Sequence, residues 1–136
     1  MQVQIDIQTA IFDTLKAGLT VPVYDDVPQE ATATDSGFPF VTIGDDTFNE
    51  GSTDTELGFF TTLTIHIWSR YAGFLETKQI QAEIYALLNR QTITMPNTDY
   101  GIAGITFDFS NAVLDPDGLT RHGVSRFELY IGETIT

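Results

Sequence analysis

The sequence predicts an α+β fold, an antiparallel sheet of about four to five strands with two helices packed on one face. Three observations lead there. Apolar residues recur at helical spacing in residues 4–19 and 75–90. Three later segments alternate apolar and polar residues with a period of two. The elements run helix, short strand, two strands, helix, two strands, an order that suits helices segregated to one side of an antiparallel sheet.

In residues 4–19, Ile7, Ile11, Leu15 and Leu19 form one stripe, with Phe12 widening it and Asp6, Asp13 and Lys16 falling elsewhere. Gly18 and Pro22 close the helix. Val23 and Tyr24 suit a brief strand before the acidic turn Asp25-Asp26-Val27-Pro28, and residues 29–37 are small, polar and loop-like. Residues 38–44 make a short strand, which Pro39 holds to an edge at its start. Residues 45–58 carry acids, threonines and glycines with little apolar content, which predicts a long hairpin tip or a flexible loop. Residues 59–69 give the clearest strand, with Phe59, Leu63, Ile65 and Ile67 on one face and Thr62, Thr64, His66 and Trp68 on the other. The second helix buries Ile80, Ile84, Leu87 and Leu88. Residues 102–114 and 122–131 close the fold as a hairpin across Asp115-Pro116-Asp117-Gly118. Two helices cover one side only. The other carries Thr62, Thr64, His66, Trp68, Thr106, Asp108, Arg126 and Glu128, a mixed surface suited to a partner.

The 136 residues fit a single domain, residues 1–136, with 42% apolar and 18% charged residues. With no cysteine, disulfides and thiol chemistry are excluded. The longest apolar run, Ile84 to Leu88, is far short of the roughly 20 residues of a membrane span. The first residues lack the pattern of a signal peptide, so the expectation is a soluble chain that is not exported. The net charge is −13, of which −10 falls in residues 1–60. Such acidity repels phosphate backbones and offers no polybasic segment to an anionic membrane, so neither nucleic acid nor membrane is an expected partner.

The search for chemistry yields no site. His66 and His122 have no zinc-type spacing; the sequence places His66 on its strand face and His122 at a turn. Asp115-x-Asp117-Gly118 opens like a calcium loop, yet Leu119 and Thr120 stand where a ligand and a glycine are needed, so it reads as a turn. Asp45-Asp46 reads as a solvated acidic loop rather than a cation site. Gly101-Ile102-Ala103-Gly104 is no phosphate loop, and Gly-x-Ser-x-Gly is absent. A carboxylate pair of glycosidase type needs one acid in an apolar pocket, and Asp108, the acid most embedded in apolar sequence, has exposed parity. The expected cofactors, metals and catalytic residues are none. Arg70, at the end of the clearest strand, and Arg121, before the last one, suit either local carboxylate pairing or pairing with acids of a neighbouring copy.

At these residues the chain resembles the tail completion, or tail terminator, family of long-tailed phages and gene transfer agents. The resemblance rests on Val23-Tyr24-Asp25 with Val27-Pro28, Phe38 to Gly44, Leu63 to Arg70 with Gly73, Tyr85 to Leu88, and Asp117 to Val124. It implies a structural virion protein: a homohexameric ring on the head-proximal end of the tail tube, assembled in the host cytoplasm. Such a ring ends tube polymerisation and presents the surface that docks to the head. The implied partners are the tail tube protein and the head–tail connector, or stopper, protein. DNA passes through such a ring without stable binding. Other classes remain open: another connector component, a minor tail protein, or a small acidic binding module or carboxylate hydrolase. The expected subunit interface includes Trp68, Arg70, Arg121 and His122. The acidic Asp45, Asp46, Glu50, Asp54 and Glu56 are expected on a loop that faces a partner.

Overall fold

The computed structural model describes residues 2–32, 34–52, 57–97 and 99–134. Asp54 and Glu56 lie outside them. The elements are α1 (Gln2–Gly18), β1 (Val23–Tyr24), a four-residue helix α2 (Gln29–Thr32), a 3-10 turn (Asp35–Gly37), β2 (Phe40–Glu50), β3 (Gly58–Ser69), α3 (Leu75–Leu88), β4 (Tyr100–Leu114) and β5 (Arg121–Glu133). The five strands lie in the order β1-β2-β3-β5-β4. All neighbours are antiparallel except β1 and β2, which pair in parallel at Val23–Val41 and Tyr24–Thr42. The α+β class holds.

Alternation builds the covered face. Leu63, Ile65 and Ile67 of β3 stand beside Phe127, Leu129 and Ile131 of β5, all buried with Ile7, Ile11 and Leu15 of α1 and Ile80, Ile84 and Leu88 of α3. Each such side chain contributes about 1.5–3 kcal/mol on burial, so this layer carries most of the stability. Two close approaches set the spacing. A Cβ on Gly123 would stand 2.5 Å from Thr77 Cγ2, so α3 lies directly on β5 there. A Cβ on Gly18 would stand 2.4 Å from Leu87 Cδ2, where α1 meets α3.

Several features depart from the sequence reading, among them α2 and the 3-10 turn within the expected loop 29–37, and β1 at the edge where β2 was expected. Strand β2 continues past residue 44 to Glu50 and pairs with β3, so of the two expectations for residues 45–58 the hairpin holds, and Asp45, Asp46 and Glu50 belong to a strand and not to a loop. The ladder crosses polar sequence through a bulge between Gly44 and Asp46, where Asp45 adopts φ 47°; β3 supplies the pairing that apolar content does not. A second bulge between Phe107 and Phe109 takes up Asp108 and shifts the alternation of β4, so Phe109 joins the open face. Asp6 is buried on α1, with Oδ1 accepting from Gln2 Nε2 at 2.8 Å. Leu87 is only partly buried.

Candidate assembly surface

The same strands present their alternate residues on the face that the helices leave open. Trp68 pairs with His122, His66 with Val124, Thr64 with Arg126, Thr62 with Glu128 and Phe60 with Tyr130. Phe109 and Val113 of β4 pair with Arg126 and His122. Among the described residues the charged side chains on this face are Arg126 and Glu128 of β5, Asp45 at the bulge beside His66, and Asp115 beside His122. Phe60 (54% exposed), Phe109 (40%) and Val113 (49%) are open to solvent. Aromatic residues with few charges mark the buried part of protein–protein contacts.

One end of the face is an aromatic cluster. Phe40 is fully buried on the open side, covered by Tyr24, Phe38 and Trp68 at centroid distances of 5.8, 5.1 and 6.4 Å. The Trp68 indole donates to Thr42 Oγ1 at 3.1 Å and lies parallel to the His122 ring, 4.0 Å centroid to centroid and 8° apart. His122 Nε2 and His66 Nδ1 are 2.7 Å apart, and His66 Nε2 is 3.2 Å from Asp45 Oδ2. On the other side, His122 Nδ1 is 3.9 Å from Asp115 Oδ1. Burial first, then His66, holds His122 below its ordinary pKa of 6.5, while Asp115 pulls the other way. His122 thus lies on a strand face and not at a turn, because the β3–β5 register sets it beside Trp68. Sequence spacing gives no sign that two histidines 56 residues apart meet.

The two expected arginines differ. Arg70 Nη1 pairs with Asp35 Oδ1 at 2.9 Å, its Nε donates to Thr120 Oγ1 at 3.2 Å, and its guanidinium lies 4.4 Å from the Phe38 ring centroid. Its charge is met inside its own chain. Arg121 stacks over Phe74 at 5.7 Å, donates Nη1 to the Leu119 carbonyl at 3.3 Å, and has no carboxylate partner among the described residues. Leu114 stands opposite it on β4, and Tyr71, Leu75, Leu114 and Leu119, in the segments next to the end of β3 and the start of β5, are exposed. The adjoining turn is held by Asp117, which accepts from the Thr120 and Leu119 amides at 2.8 Å and from Thr120 Oγ1 at 2.7 Å. These bonds, the Thr120 amide foremost, lower its pKa to about 2. The turn reading of this segment therefore stands on its hydrogen bonds, with Gly118 at φ 72°.

Asp108 is exposed at its bulge, so it lacks the apolar enclosure that a general acid needs. Buried Asp6 lies on α1, across the sheet from both histidines. Among the described residues no group of three or more His, Cys, Asp or Glu side chains is placed to hold a metal ion, and no helix is long and apolar enough to cross a membrane.

Comparison with known proteins adds three findings. A family model described as Tail completion protein gp17 matches residues 9–132. A solved chain described as "Virion of native gene transfer agent (GTA) particle" is similar in fold, with a TM-score of 0.81 and 20% identity, over 96% of this chain and 97% of that one. A second solved chain is similar with a TM-score of 0.57 and 13% identity, over 98% of this chain and 94% of its own. At these identities the likeness is one of fold. No curated protein matches the sequence.

Proposed function

The chain belongs to the tail completion protein gp17 family, and on that premise we propose that it forms a hexameric ring capping the head-proximal end of a tail tube. Membership gives the coarse function, a structural protein of the virion tail. The finer reading is that the ring ends tube polymerisation and offers its far side to the head connector. The observation that carries it is the open sheet face. In a chain with a net charge of −13, the described residues of one broad face are mainly aromatic and uncharged, a surface on which neighbouring copies or tube subunits can meet. A ring closes when one patch binds a different patch of the next copy and the rotation fits. In this reading Trp68, His122 and Arg121 lie in or beside the contact, with Asp45 at its margin beside His66, and the strand residues Asp46 and Glu50 face another partner. The remaining surface is acidic, so DNA passes the ring without being held. The work is mechanical and needs no cofactor.

A cap must match the tube on one side and mismatch it on the other. Particles made without this gene therefore carry overgrown tubes and full heads that lack tails, visible by electron microscopy. Tails of normal length joined to full heads would overturn the capping role and favour another connector position.

A further inference from the structure

The four side chains Asp45, His66, His122 and Asp115 form a line across the open face, and their spacing fixes where protons can sit. Asp45 accepts from His66 Nε2, so Nε2 carries a hydrogen and the facing Nδ1 is bare. Nδ1 then accepts from His122 Nε2–H at 2.7 Å. This leaves His122 Nδ1 bare, 3.9 Å from Asp115. One added proton fits on that nitrogen, turned toward a carboxylate, with the inter-ring bond intact. A second has only His66 Nδ1 to occupy, which would set two N–H groups against each other at 2.7 Å.

We propose that His66 and His122 are a proton-operated latch on the open face, closed with one added proton or none and forced apart by the second. Once apart, His66 stays with Asp45 on β2 and His122 turns to Asp115 at the end of β4. Among the described residues, the charged groups in contact with the pair are these two carboxylates and the rings themselves, with Arg126 and Glu128 farther along the same face. Opening unstacks Trp68 from His122 and so changes the shape and charge of the surface at its most aromatic point. The latch is a property of the single chain. Its bearing on assembly rests on the capping reading above.

Trp68 is the one tryptophan, so its emission reports on the stack directly. Imidazole nitrogen resonances and Trp68 emission are followed together from pH 8 downward, with far-ultraviolet circular dichroism confirming that the chain stays folded. The latch predicts two macroscopic steps separated by more than about one pH unit, the lower one carrying an emission change beyond the quenching that protonating the stacked His122 brings at the upper one. The His66→Gln variant, which cannot take the second proton, shows one step on His122 and no emission change at lower pH. Two independent single steps, or emission that follows neither, overturn the latch. A separate arm measures ring formation across the same range. Loss at the lower step in the wild type, absent in His66→Gln, places the latch in the contact. Assembly indifferent to that step, with the two-step titration intact, overturns the placement and leaves the latch standing.

Discussion

The two faces of the sheet are written by alternate residues of the same strands, and they do different work. On the covered side β3 and β5 present Leu63, Ile65, Ile67, Phe127, Leu129 and Ile131, all buried under two helices. On the open side the same strands present Phe60, Thr62, His66, Trp68, Arg126 and Tyr130, where Phe60 packs on Tyr130 and His66 on Trp68. One face holds the chain together. The other keeps aromatic and titratable groups within reach of a partner, at little cost to the fold. Stability and assembly should therefore respond to separate sets of substitutions.

The largest effect belongs to the covered face. Phe127→Ala empties the centre of the core and should cost about 3–5 kcal/mol, read as a fall in the urea midpoint with the slope unchanged. Gly123→Ala drives a methyl group into Thr77 and should cost about 1–3 kcal/mol by the same measurement. On the open face, Phe109→Ser and Val113→Ser should each change stability by only about 0.5 kcal/mol while weakening assembly. A loss from either as large as that from Phe127→Ala would mean that the open face is part of the core. Arg121→Glu should likewise leave the circular dichroism of the free chain unchanged and impair ring formation. It has no carboxylate partner among the described residues, so reversing its charge breaks no ion pair and loses only its contact with the Phe74 ring.

The smallest effect is set by pH. His122 binds its proton more weakly folded than unfolded, so its neutral form stabilises the chain above the unfolded value of 6.5. That contribution is lost as pH falls from 6.5 through the lower folded value. Thermal melts of the wild type should thus decline over this window, and melts of His122→Gln should decline less. Asp117 acts at more acid pH. Its contribution is present above the ordinary 3.8 and disappears as pH falls through about 2.

How much of this was legible in the sequence follows from where each constraint resides. The stripe of α1 and the alternation of β3 and β5 are local patterns, and both faces of β3 read correctly from period two alone. Strand β2 did not read beyond residue 44, because its second half has the composition of a loop and is held by cross-strand partners such as Thr62, which hydrogen-bonds Thr47. Bulges are equally silent in composition, so Asp108 took the parity of an unbroken strand. The histidine pair is a product of register. Only placing β5 between β3 and β4, out of chain order, brings His122 to His66. Trp68 and His122 were both legible as interface candidates, yet their stacking on one another was not. Arg70 and Arg121 look alike in sequence, and only Asp35, brought in by the 3-10 turn, separates them.

The central claim, that this chain stops a growing tube, is tested most directly by adding it to its own purified tube protein during polymerisation and measuring tube lengths by electron microscopy. Capping predicts that mean length falls as the chain is added, with about one ring at one end of each tube and none along the shaft. Tubes that reach the same lengths at every ratio, or that bind the chain along their sides, would contradict it.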